Sequence, residues 1–327
     1  MLAIQASRPG GPDVLELVDL TDPVPGPGEV LARTAFAGVN FIDTYRREGV
    51  YRMPFPHVTG AEGAGVVAAV GEGVADLAVG DRIAWTDALG SYAELVRVKA
   101  ERALRVPDGV DLDVAAALPM QGLTAHYLVT STYPVREGDV VLVHAGAGGV
   151  GLLLTQLATA RGARVITTVS SAEKEALSRA AGAVEVIRYD QLDDLSAQLP
   201  PLVRDLAGGG VAVVYDGVGR ATFDASLACL RRRGMLVLFG ASSGQVPPFE
   251  LQRLNTGGSL YVTRPTIGDY IATTAELRSR AQDLFDAVTA GTLHVRIGAR
   301  FPLAEAAPAQ RALEGRATTG KVILDVG

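Results

Sequence analysis

Between Asp139 and Val169 the chain reads strand, glycine loop, helix, strand, and this run constrains the fold more than any other segment. Val140-Val141-Leu142-Val143-His144 is a short apolar strand, and Gly146-Ala147-Gly148-Gly149-Val150-Gly151 fits GxGxxG. A helix is expected next, with Val150, Leu153, Leu154, Leu157 and Ala158 on one face and its close near Gly162. The following strand runs from Arg164 to Val169. Glycines at these three places allow a tight turn, backbone approach to a pyrophosphate, and close helix–strand packing. The phosphates then meet a helix N-terminus, where free N–H groups and the dipole favour negative charge.

The second strand ends without an acid. A site for the ribose diol of NAD carries Asp or Glu there, whereas this chain continues Ser170-Ser171-Ala172-Glu173-Lys174. Small hydroxyls and a lysine suit a 2′-phosphate, which a carboxylate would repel. Glu173 is the nearest contrary charge and is expected to face solvent. NADPH is therefore the expected cofactor.

With 327 residues there is room for two domains, and 48% hydrophobic with 20% charged residues describes a globular chain. A formal charge of −6 argues against a nucleic-acid groove. Arg231-Arg232-Arg233, the one tight basic cluster, is expected at a solvated helix end. Cys229 is the only cysteine, which excludes intrachain disulfides and thiolate zinc clusters, and its apolar neighbours mark it as a buried thiol. Val140 to Ala160 is uncharged and long enough to span a bilayer, but its glycines, His144 and Gln156 fit strand–loop–helix instead. Met1-Leu2-Ala3-Ile4-Gln5 lacks the layout of a signal peptide, so a cytoplasmic protein without membrane insertion is expected.

Up to about Pro119 the chain is strands and turns. The proline-rich loop Thr21–Gly28 precedes a strand from Glu29 to Phe36, and Gly60–Gly65 precedes another from Val66 to Val70. Such punctuation indicates a β-rich, barrel-like domain. From about Leu112 strands and helices alternate, with further strands at Val184–Ile187, Val211–Tyr215 and Met235–Phe239, as βαβ crossovers and a parallel sheet require. After Tyr261 the alternation stops, and the tail ends in a strand from Lys321 to Val326. The expected organisation is α/β. A Rossmann-type doubly wound parallel sheet (124–261) is inserted into a β-rich GroES-like catalytic domain (1–123 and 262–327).

Asn40-Phe41-Ile42-Asp43-Thr44-Tyr45, Gly122-Leu123-Thr124, the Gly146–Gly151 loop and Val213-Val214-Tyr215-Asp216 resemble zinc-free medium-chain dehydrogenases/reductases. Ser259-Leu260-Tyr261-Val262-Thr263-Arg264-Pro265 and Arg316-Ala317-Thr318-Thr319-Gly320-Lys321 resemble the NADPH:quinone oxidoreductase branch, which includes zeta-crystallin. The resemblance runs nearly end to end. Zinc alcohol dehydrogenases carry cysteine where Asn40 stands and Gly-His-Glu where Gly60-Ala61-Glu62 stands, so it implies no metal and no Lewis-acid step. His57 is expected to be satisfied by backbone or water, and Glu62 to be a buried, hydrogen-bonded structural acid.

What the resemblance implies for the cofactor is specific. Phe41, Ile42, Asp43, Thr44 and Tyr45 contact it from the catalytic domain, with Thr124 in the cleft and Tyr127 beside the nucleotide domain. Gly149 and Val150 form the pyrophosphate turn. Ser170, Ser171, Ala172, Glu173 and Lys174, with Tyr189, surround the 2′-phosphate. Gly217, Leu238, Phe239, Gly240, Ala241, Arg264, Pro265, Thr266 and Arg316 line the remaining contacts. The competing readings are a surface-capping aromatic for Tyr189 and a tail salt bridge for Arg316. Some relatives have serine where Gly217 stands and alanine where Gly146 stands.

The implied reaction is hydride transfer from NADPH to a small-molecule quinone, a planar electrophile for which position matters more than acid catalysis. Asn40, Tyr45 and Tyr51 are the polar groups expected near the acceptor oxygens. Asn40 would donate to developing negative charge. Tyr45 would orient the carboxamide or deliver a proton, with water as the competing donor, and Tyr51 competes with simple packing at the cleft mouth. Two alternatives stay open: reduction of an activated carbon–carbon double bond, and a non-catalytic, crystallin-like NADPH-binding role. A homodimer through an edge strand near Val262 is also implied.

Overall fold

A computed structural model describes all 327 residues and divides the chain into two compact units, Met1–Leu123 with Ala272–Gly327, and Thr124–Ile271. The insertion therefore closes at 271 rather than at 261. The physical reason is that Tyr261–Thr263 forms a strand pairing parallel with Leu230–Leu238, and that Tyr270 stacks on Tyr127 at 4.2 Å.

In the inserted unit all six strands are parallel. Across the sheet they run Glu185–Arg188, Arg164–Val169, Val140–Val143, Val211–Asp216, Leu230–Leu238 and Tyr261–Thr263. Numbered along the unit, this is the order 3-2-1-4-5-6 of a doubly wound dinucleotide fold, with the switch point beside Val140–Val143. Both faces of the central strands are covered, so Val211–Asp216 is buried at every position. Helix Gly149–Thr159 follows the first strand, and Ala172–Ala180 the second.

Arg231, Arg232 and Arg233 do not end a helix, which corrects the sequence expectation. The helix stops at Cys229, and the arginines open the strand Leu230–Leu238, where their side chains lie in solvent. The ladder shifts register between Val211 and Val213, and this irregularity accommodates a polar stretch at the strand's start.

The other unit is built on a seven-stranded sheet. Its path runs Ile297–Pro302, Lys321–Asp325, Glu29–Val39, Glu62–Val70, Arg82–Trp85 and Leu104–Arg105, while Leu95–Lys99 pairs with Glu29–Val39 off that path. Strand Leu2–Ala6 lies between Leu15–Asp19 and the two-residue strand His57–Val58. The tail strand therefore completes this unit, as its pairing with Glu29–Val39 requires. No helix is long and apolar enough to cross a membrane.

Candidate functional site

In the inserted unit, the loop after Val140–Val143 is shaped by its glycines. A Cβ on Gly151 would overlap the Ala145 carbonyl, and one on Gly146 would press on Thr167. The backbone there closes tightly enough for helix Gly149–Thr159 to begin at the end of the strand. Gly149 and Val150 thus form the first helical turn, where N–H groups have no intrahelical acceptor.

At the end of the neighbouring strand, the Ser171 hydroxyl caps helix Ala172–Ala180 by accepting from Lys174 N. Lys174 folds back, and its Nζ donates to Ser170 Oγ at 3.1 Å. Glu173 is exposed, as expected. Pairing of Val169 with Arg188 places the Tyr189 backbone level with Ser170 beyond the neighbouring strand end, while two hydroxyls and an ammonium lie together at Ser170, Ser171 and Lys174. These residues fit a 2′-phosphate.

Deeper in the same unit lies a polar network absent from the sequence expectations. His144 is buried, with Nδ1 2.8 Å from Thr168 Oγ1 and Nε2 3.0 Å from Ser226 Oγ. Ser226 Oγ donates its single proton to Asp216 Oδ2 at 2.8 Å, so it must accept from His144 Nε2–H. That fixes the tautomer: in the neutral ring Nδ1 accepts from Thr168. Burial also holds the imidazole below its ordinary pKa. Asp216 Oδ1 accepts from Val218 N, Gly219 N and Thr222 Oγ1, which shapes the loop around Gly217. The network ties together the C-terminal ends of three adjacent strands, the edge at which this fold binds ligands. Its sequence signal was a histidine and an aspartate, each at the end of an apolar strand.

The remaining expected residues of this unit are spread around it. Tyr127 is buried, and its stack on Tyr270 leaves little of its ring open to a ligand. Leu238 ends its strand and is buried with Ala241, while Phe239 and Gly240 are half-buried. Arg264 and Thr266 are exposed just beyond the edge strand, Pro265 between them is buried, and Thr124 is half-buried.

In the catalytic unit, Asn40 precedes helix Phe41–Arg47, and its backbone N–H donates to Asp43 Oδ2 at 3.0 Å. Asp43 also accepts from Tyr92 OH at 3.0 Å. Burial pushes its carboxyl up to about 6, opposed mainly by the nearby Arg46 charge. Tyr45 and Tyr51 meet edge to face at 5.8 Å, and Phe41 lies 6.3 Å from Tyr45, so these three aromatic residues form one group. Tyr51 is exposed, as is Arg316, which takes a left-handed backbone at φ 57°.

The Asn40 side chain is directed inward. Its Nδ2 donates to Glu62 Oε2 at 2.7 Å and weakly to Gly38 O at 3.4 Å, while its Oδ1 accepts from Lys321 Nζ at 2.7 Å. This revises the sequence expectation of an amide donor facing the acceptor, because the stronger donor bond is already directed at a buried carboxylate. Glu62 is fully buried, with Oε1 accepting from Met120 N at 2.6 Å and Oε2 ion-paired with Lys321. His57 is held by its Nδ1 against the Pro54 carbonyl at 2.9 Å, so it is satisfied by backbone, and it sits in a two-residue strand.

Two family models match the chain: an alcohol dehydrogenase GroES-like domain over residues 26–108, and a zinc-binding dehydrogenase over 149–285. A quinone oxidoreductase of Pseudomonas aeruginosa is 46% identical, with 98% of each chain covered. A 2-haloacrylate reductase of a Burkholderia species is 40% identical, covering 99% of this chain and 98% of its own. A mycobacterial protein solved in complex with NADPH superposes with a TM-score of 0.97 at 51% identity over both full chains. The zinc named by the second family model does not fit the residues here. Glu62 is saturated by an ammonium and two N–H donors, and the neighbouring Asn40 offers an amide already bonded to Glu62 and Lys321 rather than a thiolate or imidazole.

Proposed function

This chain belongs to the quinone oxidoreductase family of the medium-chain dehydrogenases/reductases, and from that premise we propose that it oxidises NADPH and reduces a quinone without a metal. The observation that carries the cofactor is the corner of Ser170, Ser171 and Lys174, where an ammonium and hydroxyls replace the acid of an NAD site. NADPH, when bound, supplies the hydride. The protein's part is position. The first turn at Gly149 and Val150 would receive the pyrophosphate, and Lys174 would act as a point charge on the 2′-phosphate.

In the catalytic unit, Phe41 to Tyr45 would flank the nicotinamide, with Tyr45 and Tyr51 offering hydroxyls to the acceptor. Asn40 acts through the helix it starts rather than by a free amide. Gly217, Leu238 to Ala241, Arg264 to Thr266, Thr124, Tyr127, Tyr189 and Arg316 complete the proposed cofactor contacts. Strand Tyr261–Thr263 has one partner strand and leaves Tyr261 57% exposed, which supports a homodimer formed across that edge.

A second reading, reduction of an activated carbon–carbon double bond, is favoured by the likeness to the 2-haloacrylate reductase. Steady-state oxidation of NADPH and NADH with 1,4-benzoquinone, 9,10-phenanthrenequinone and 2-hexenal separates the two. Quinone turnover with NADPH preferred is expected. Turnover of the enal alone would transfer the assignment to double-bond reduction, and inertness toward all three would sink both.

A further inference from the structure

Three strands of the catalytic unit bring together one buried cation, one buried anion and one buried amide. Val322 pairs with Val39 and Ile323 with Gly38, while Gly38 also pairs with Glu62 on the other side. Lys321, Asn40 and Glu62 therefore meet at the same level of the sheet, with exposures of 1%, 6% and 0%. Gly38 makes the room, because a Cβ there would overlap the Glu62 carboxylate.

We propose that Lys321 is a positioning residue for hydride transfer, an internal cation beside the positions where zinc dehydrogenases carry metal ligands. It holds the Asn40 amide, and through it the helix Phe41–Arg47, in the geometry the reaction needs. This inference rests on the quinone reductase reading.

The chemistry of the three groups leaves one arrangement. An ammonium only donates and an ionised carboxylate only accepts, so the Asn40 amide must turn its oxygen to Lys321 and its nitrogen to Glu62. The charges of Lys321 and Glu62 balance, so no further cation is called for beside this carboxylate. Glu62 also receives Met120 N at the start of helix Pro119–Tyr127, and Asn40 N anchors Asp43 in helix Phe41–Arg47. One ion pair thus ties the tail strand to the starts of two helices. A buried pair of this kind is a weak source of net stability, since apolar replacements are often neutral. What it supplies is direction, and directional error at a reacting centre is expensive.

The test uses the full chain with Lys321→Met, Glu62→Gln and both together, followed by melting, NADPH titration and kcat with 1,4-benzoquinone. Lys321→Met alone leaves a buried unpaired carboxylate and is expected to lose stability, so the double variant is decisive. With both charges gone, the amide introduced by Glu62→Gln keeps the bond from Met120 N and presents an NH2 group, which the Asn40 amide can meet only by inverting. The double variant is expected to melt near the unmodified protein and bind NADPH within about threefold, while kcat falls roughly ten- to a hundredfold. A double variant that folds and keeps kcat within about twofold overturns the role of Lys321. Lack of turnover by the unmodified protein with quinones overturns the functional reading itself, so the two failures are distinct.

Discussion

Lys174 Nζ donates to Ser170 Oγ at 3.1 Å, so the ammonium proposed for the 2′-phosphate is drawn to the end of the strand Arg164–Val169. Removing it leaves the diol of NADH unaffected. Lys174→Ala is expected to weaken NADPH by about ten- to a hundredfold, the range of one charge-assisted hydrogen bond, and NADH by little. Fluorescence titration with both nucleotides measures this, and equal losses would remove Lys174 from the phosphate site.

Asp43 makes stability depend on pH in an unusual direction. Burial raises its carboxyl from 3.8 to about 6, so between those pH values the folded state holds a proton that the unfolded chain has released. The favourable contribution is full below about 3.8 and is lost as pH rises through about 6, to a total of about 3 kcal/mol. Asp43→Asn keeps an acceptor for Asn40 N and Tyr92 OH but has no charge to bury. Relative to the unmodified protein, its melting temperature should improve between pH 5 and pH 8; parallel curves would refute the assignment.

His144 has the opposite sign. Burial lowers its pKa, so below about 6.5 the unfolded chain takes up a proton that the folded ring resists, and stability falls with falling pH. His144→Gln should flatten that acid limb. At neutral pH it should lose about 1–3 kcal/mol, because Thr168 and Ser226 lose a buried partner. Denaturant melts at pH 5.5 and pH 7.5 compare the two terms.

The edge strand offers a test of assembly. Tyr261 is 57% exposed beside an unpaired ladder edge, and a lysine there would add like charges across a twofold axis. Tyr261→Lys is expected to shift a dimer to monomer in sedimentation velocity with the fold retained. Dimers of unchanged strength would place the contact elsewhere.

Much of this was legible along the chain because it is local. The strand Arg164–Val169 is where the apolar run puts it, and Ser170 to Lys174 form a corner within five consecutive residues. Cys229 is buried, as its apolar neighbours imply, and Glu62 is buried, as the resemblance implies. The boundary at 261 failed because a three-residue strand carries almost no periodicity, and only its pairing with Leu230–Leu238 shows which sheet it joins. The arginines at 231–233 failed for a related reason: a strand opening in solvent has the same composition as a helix end.

By itself, the sequence determined the doubly wound unit, its glycine turn, NADPH as the cofactor and the lack of thiolate ligands, since each depends on residue type within a short window. Only the tertiary structure decided what Asn40 does. The amide's orientation is set by Glu62, which lies 22 residues away, and by Lys321, which lies 281 away. The two charges meet it through the register of three strands, and no local pattern records that register.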